Sequence, residues 1–120
     1  MSLQGNESKI LKKEMEDIKE KVLDFESLVD YQSGSVVSRT ILKKETGNIT
    51  LFSFDRGQGL SEHTASFDAV VYILDGEAQV CISKDKYNLK KGQIIIMPAN
   101  KPHSLKATER FKMALIMIKS

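Results

Sequence analysis

After Ser35 the chain is cut by turn residues into short runs of strand-forming side chains, and few architectures accept that spacing. Val36, Val37, Thr40, Ile41 and Leu42 open the series, and side chains of this kind suit a pleated, half-buried surface. Thr46-Gly47-Asn48 is a turn signal. Residues 49–54 read as a strand, with Ile49, Leu51 and Ser53 on one face and Thr50, Phe52 and Phe54 on the other. Residues 67–74 read as the next strand, closed by Asp75-Gly76, a favoured tight-turn pair. Residues 77–83 and 86–89 read as a hairpin about Lys84-Asp85, and residues 94–97 as a strand buried on both faces. Residues 105–108 and 111–118 read as a closing hairpin that turns at Glu109-Arg110. Roughly eight strands at such intervals specify a β-sandwich or barrel.

Upstream the period changes. Ile10, Leu11, Met15, Ile18, Val22 and Leu23 recur at helical spacing among lysines and glutamates. This predicts an N-terminal α-helix over residues 6–24, capped by Asn6 or Ser8. The expected organisation is a helical extension at 1–30 followed by one β-barrel domain at 31–120, within the size of a single compact domain. The formal net charge is +2 with both signs interspersed, which gives no footprint for nucleic acid or an anionic membrane. No apolar run approaches the roughly 20 residues of a membrane span, and the polar N-terminus does not read as a signal peptide. The single cysteine, Cys81, has no intrachain partner, which fits a reducing, cytoplasmic location.

Two segments carry the chemistry. In the first, five residues separate Gly57 from His63, and Gly76 follows His63 after twelve more. In the second, Gly92, Pro98 and His103 keep a fixed spacing, and fifteen residues separate Gly76 from Gly92. This pair of segments resembles the two motifs of the cupin superfamily, and the resemblance covers roughly residues 35–118. It implies a cupin-type double-stranded β-helix, a jelly-roll barrel. A complete cupin metal site would use three histidines and a glutamate facing inward. Here Ala65 stands at the second histidine and Ala69 at the glutamate, while Asn100 replaces a glycine. Asn tolerates the positive φ that this turn is expected to need. The retained metal positions are His63 and His103, the only histidines in the chain.

Strand alternation puts His63, Ala65, Phe67, Ala69, Val71 and Ile73 on the inward face and turns Glu62 and Asp68 outward. The expected ligand pocket comprises His63, His103, Ala65, Phe67, Ala69, Val71 and Met97. A divalent ion such as zinc, manganese, nickel or iron, held there by two imidazoles, would complete its coordination with water or ligand and bind weakly. Three functions stay open. One is a barrel that binds a small organic molecule. The second is a metal-dependent dioxygenase, isomerase or lyase, for which the fold raises the prior without choosing a reaction. The third is a ligand-sensing module without its own DNA-binding domain. Small cupins commonly pair through their sheets, so the resemblance also implies a homodimer.

Overall fold

The computed structural model describes residues 10–13 and 17–119. Nine strands follow in chain order: β1 (Ile10–Lys12), β2 (Val36–Lys44), β3 (Gly47–Phe54), β4 (Gly59–His63), β5 (Asp68–Ile82), β6 (Asp85–Lys90), β7 (Ile94–Met97), β8 (His103–Lys106) and β9 (Phe111–Ile118). They form two curled layers. The first has the order β1-β2-β3-β9-β5-β7, and the second has β6 and β8 on either side of β5, with β4 beyond β8. This is the jelly-roll barrel expected from the sequence.

The strand β5 belongs to both layers. Residues 68–76 pair with β9, and residues 77–82 pair with β6 and β8. The register slips between Ile73 and Asp75, so the inward set changes from Ala69, Val71 and Ile73 to Ala78, Val80 and Ile82. The expected tight turn at Asp75-Gly76 is therefore a bulge inside one continuous strand of fifteen residues. An Asp-Gly pair serves either role, because both need a residue at positive φ. Gly76 sits at φ 75°, and a Cβ there would overlap the Arg110 carbonyl. Strand, bulge and side-chain direction thus follow from a residue that lacks a Cβ.

The predicted N-terminal helix is absent from the described residues. Ile10–Lys12 instead extends the first layer as a parallel edge strand on Val36, Val37 and Ser38. Residues 17–24 are irregular, and residues 6–9 and 14–16 of the predicted helix lie outside the described residues. The only helical turn described is a short 3-10 turn, Phe25–Leu28. Helical periodicity does not stabilise a helix without a surface for its apolar stripe, whereas the free edge of β2 offers backbone partners.

Two apolar clusters result. The barrel interior holds Phe52, Phe54, Val71, Ile73, Val80, Leu105, Phe111, Met113 and Leu115 among others. The second cluster lies outside the first layer, where Val29 and Leu28 cover Val37, Leu51, Leu74 and Ala114. Polar contacts fasten this covering strap. Ser53 Oγ donates to the Asp30 carbonyl (2.7 Å), Lys112 Nζ to that of Glu26 (2.8 Å), and Tyr31 Oη to Asp75 Oδ2 (2.6 Å). Both faces of β3 are consequently buried from Thr50 to Phe54.

Two further expectations change. The segments 105–108 and 111–118 do not form a hairpin: β8 lies in the second layer against β4 and β5, and β9 in the first between β3 and β5. Among the described residues β7 pairs with β5 alone. It is thus an edge strand with one buried face rather than two, leaving Ile94 and Ile96 exposed. No helix of the described residues is long and apolar enough to cross a membrane.

Candidate functional site

The site forms where β4 and β8 run antiparallel. Leu60 pairs with Leu105, and after a bulge over residues 61–62 His63 pairs with His103. On its other side His103 pairs with Ile82, an inward residue of β5. Residues opposite each other in adjacent strands share a face, so both imidazoles point into the barrel. They are neighbours on one layer rather than groups facing each other across the pocket. Their ring centroids are 4.3 Å apart, with the rings edge-to-face at 73°.

Each ring is oriented in the same way. The Nδ1 of His63 lies 2.8 Å from the Ser61 carbonyl, and that of His103 lies 3.1 Å from the Lys101 carbonyl. A carbonyl only accepts, so each Nδ1 carries the proton and donates. In the neutral imidazole the lone pair then resides on Nε2. Burial, and next the neighbouring His63, hold the His103 pKa below the ordinary histidine range, while the hydrogen bond to Lys101 pulls the other way.

The loop delivering His103 is built locally. Pro98 and Pro102 restrict it, and Asn100 takes φ 68°, the left-handed conformation expected of it. The Asn100 amide donates to the Ala65 carbonyl (2.7 Å), and the Ala99 amide to Asp68 Oδ1 (2.8 Å). Asp68 thus ties down the loop from outside and leaves the interior without its charge.

A cavity of about 350 Å³ opens beside the histidines. It is lined by His63, Ala65, Phe67, Ala69, Met97 and His103 of the expected pocket, and also by Thr64, Ser66, Leu115 and Met117. Val71 does not line it; this residue is fully buried in the packed core. Thr64 and Ser66 escaped the sequence reading because alternation alone turns them outward, and both are largely exposed at the rim. Leu115 and Met117 escaped because β9 is distant in sequence, although Met113, Leu115 and Met117 alternate as an inward set should.

No carboxylate lines the cavity among the described residues. Among the described residues no group of three or more His, Cys, Asp and Glu side chains is placed to hold a metal. The donor set therefore does not fit a tight centre of three or four protein ligands. It offers two imidazole nitrogens, and their tethered Nδ1 atoms resemble the outer-shell support of metal-binding histidines. Chemically the arrangement provides two adjacent lone pairs and two hydroxyls in an otherwise apolar chamber.

Comparison with known proteins places this geometry. The model of the cupin domain matches residues 50–119. A conserved protein of unknown function from Streptococcus pyogenes is 40% identical, with a TM-score of 0.81 over 84% of this chain and 89% of that one. A cupin superfamily protein from Desulfitobacterium hafniense is 30% identical, with a TM-score of 0.80 over 85% of this chain and 94% of that one. A predicted oxalate decarboxylase from Thermotoga maritima shares 18% identity and a TM-score of 0.67 over 71% of this chain and 81% of that one, a likeness of fold alone. No functionally curated protein matches. With two glycine-punctuated motifs, a jelly-roll barrel and a family match over residues 50–119, the chain belongs to the cupin family.

Proposed function

We propose that the barrel binds a small organic molecule, anchored by His63 and His103 and enclosed by Phe67, Ala69, Met97 and Leu115. The observation that carries this reading is the pair of imidazoles tied at Nδ1 by backbone carbonyls in a cavity of about 350 Å³. Tethering fixes both rings before a ligand arrives, so little side-chain entropy is lost on binding. The cavity volume lies in the ordinary range for small-molecule sites, where a few polar groups orient an otherwise apolar ligand. A ligand presenting hydrogen-bond donors would meet both Nε2 lone pairs. The absence of an acid among the lining residues weighs against the enzymatic reading, because no carboxylate is placed to pair with a histidine in proton transfer.

A second reading has its own support. The Nδ1 tethers would also suit a weakly held divalent transition ion on the two Nε2 atoms, with water or ligand completing its coordination. One experiment separates the two. Protein purified without chelator or a metal-affinity column is assayed for metal, then screened thermally against small organic molecules beside the His63→Ala/His103→Ala double variant. The binding reading predicts sub-stoichiometric metal and a hit that raises the melting temperature by roughly 10 °C at 100-fold excess over its Kd. The double variant loses that shift. Near one metal per chain, lost in the double variant, favours the second reading. No metal and no hit across a broad library would sink both.

A further inference from the structure

One part of the barrel lining is polar. Toward the β1 edge of the first layer Lys12 pairs with Ser38, Thr40 with Thr50, and Lys43 with Asn48. Ser38 lies opposite Phe52, and Thr50 and Asn48 lie opposite Leu115 and Met117 of β9. Phe52 and Leu115 belong to the interior core, and opposed residues share a face, so these polar side chains stand on the inner side. The bulge between Thr40 and Leu42 turns Lys43, in place of Leu42, to that side. Together they line a second cavity of about 210 Å³. It adjoins the histidine chamber, because Leu115 and Met117 line both.

The chemistry of this annex suits an oxyanion. Ser38 is 7% exposed and Thr50 8%. Thr50 Oγ1 meets Thr40 Oγ1 at 3.1 Å and Asn48 Oδ1 at 3.4 Å, whereas no side-chain partner meets the Ser38 hydroxyl among the described residues. A buried hydroxyl without a partner is costly, and a ligand oxygen would satisfy it. Lys12 and Lys43 are exposed at the rim. Among the described residues neither enters an ion pair, and no acid lines the annex. A buried hydroxyl donor beneath two ammonium groups matches a carboxylate or phosphate and disfavours a cation.

The separation of the two sites sets the length of what would span them. Lys43, Asn48, Met117 and Ala69 form one rung across β2, β3, β9 and β5, about 14 Å from end to end at the usual strand spacing. A lysine side chain and an imidazole both reach into this span, so a saturated chain of about ten atoms fits between them. Its apolar body would lie on Leu115 and Met117.

Resting on the small-molecule reading above, we propose that the annex takes the acidic end of the barrel's ligand. That ligand is then an elongated organic anion, with a hydrogen-bond donor at His63 and His103 and a carboxylate or phosphate at Ser38, Lys12 and Lys43. Isothermal titration calorimetry of the full chain tests this with ω-hydroxydecanoate, ω-hydroxydecyl phosphate and the α,ω-diol of the same length. At least one acid is expected to bind roughly 10-fold tighter than the diol, the increment of a hydrogen-bonded charge, and the tighter acid identifies the acidic group. Lys12→Gln/Lys43→Gln is expected to bring that acid down to the level of the diol and to leave the diol unchanged. Lys13→Gln/Lys44→Gln, which removes the same charge from their sequence neighbours, is expected to keep the preference. Equal binding of acids and diol, or a preference that survives the first pair of substitutions or falls equally with the second, would overturn the annex and leave the small-molecule reading intact. Binding of none of the three would overturn the annex as well, and the small-molecule reading would then rest on its own thermal screen and double variant.

Discussion

At one end of the barrel interior Phe54 and Phe111 stack at 4.4 Å with rings 10° from parallel, Phe52 lies 5.9 Å from Phe54, and all three are buried. At the other end Ala65 and Ala69 leave about 350 Å³ open beside two histidines. The same strands supply both ends. The inward set of β9 runs from Phe111 through Met113 and Leu115 to Met117 at the cavity, and that of β5 shrinks from Ile73 through Val71 to Ala69. Alternation decides which side chains point inward. Their size decides whether the interior they meet is a core or a chamber.

Substitutions at the two ends should therefore separate. Phe111→Ala is expected to cost about 3–5 kcal/mol of folding stability, the usual loss for a buried aromatic truncated in a packed site. Ala69→Leu, aimed into the chamber, should cost only about 1 kcal/mol, the low end for a small-to-large change because the chamber gives it room, yet abolish ligand binding. Equilibrium denaturation of both variants decides the matter, and equal losses would break the comparison. Gly76 pairs with Phe111 at the filled end, and Gly76→Ala is expected to cost about 1–3 kcal/mol through its positive φ and the crowded Arg110 carbonyl. A wild-type-like melting curve would remove the bulge from the argument.

The ends should also answer to pH in different windows. The folded pKa of His103 is depressed below its unfolded value near 6.5, so the unfolded chain binds more protons between those two values. The associated stability is complete above pH 6.5 and is lost as pH falls through the depressed folded value. His103→Phe should flatten that part of the stability profile, and an NMR titration should place the His103 midpoint below 6.5. Near the filled end Asp55 bonds Arg110 Nε at 2.8 Å and accepts the Gly34 amide at 2.7 Å. Arg110 first, then the backbone donors, lower its carboxyl from 3.8 to about 2. Its stabilising effect is present above 3.8 and disappears as pH falls toward 2. Because its partner Arg110 is more than half exposed and the pair is screened by solvent, this is the smallest effect, visible as a shallower acid limb in Asp55→Asn.

Much of this was legible before the fold was known, for reasons that divide by range. Period-two alternation over Ala69, Val71 and Ile73 matches the buried inward face of β5, because the face of a strand residue is a local property. Asn100 was readable because positive φ is a property of one residue. The N-terminal helix was misread because Ile10 and Leu11 fit a helical stripe and a strand equally well in isolation, and the free edge of β2 chose between them. Residues 94–97 looked buried on both sides because four consecutive apolar residues do not reveal that the strand is an edge. Leu115 and Met117 were invisible as pocket residues because only the pairing of β9 with β5 brings them to Ala69.

The register of β4 on β8 has one more consequence. Since His63 and His103 occupy opposite rungs of an antiparallel ladder, the distance between them is measured out by main-chain pairing rather than by loop shape or rotamer choice. Residues 98–100 could change in sequence and alter who enters, while the ladder and the Lys101 carbonyl kept the two imidazoles in place. The barrel thus holds its chemical gauge in its backbone and leaves its doorway free to vary.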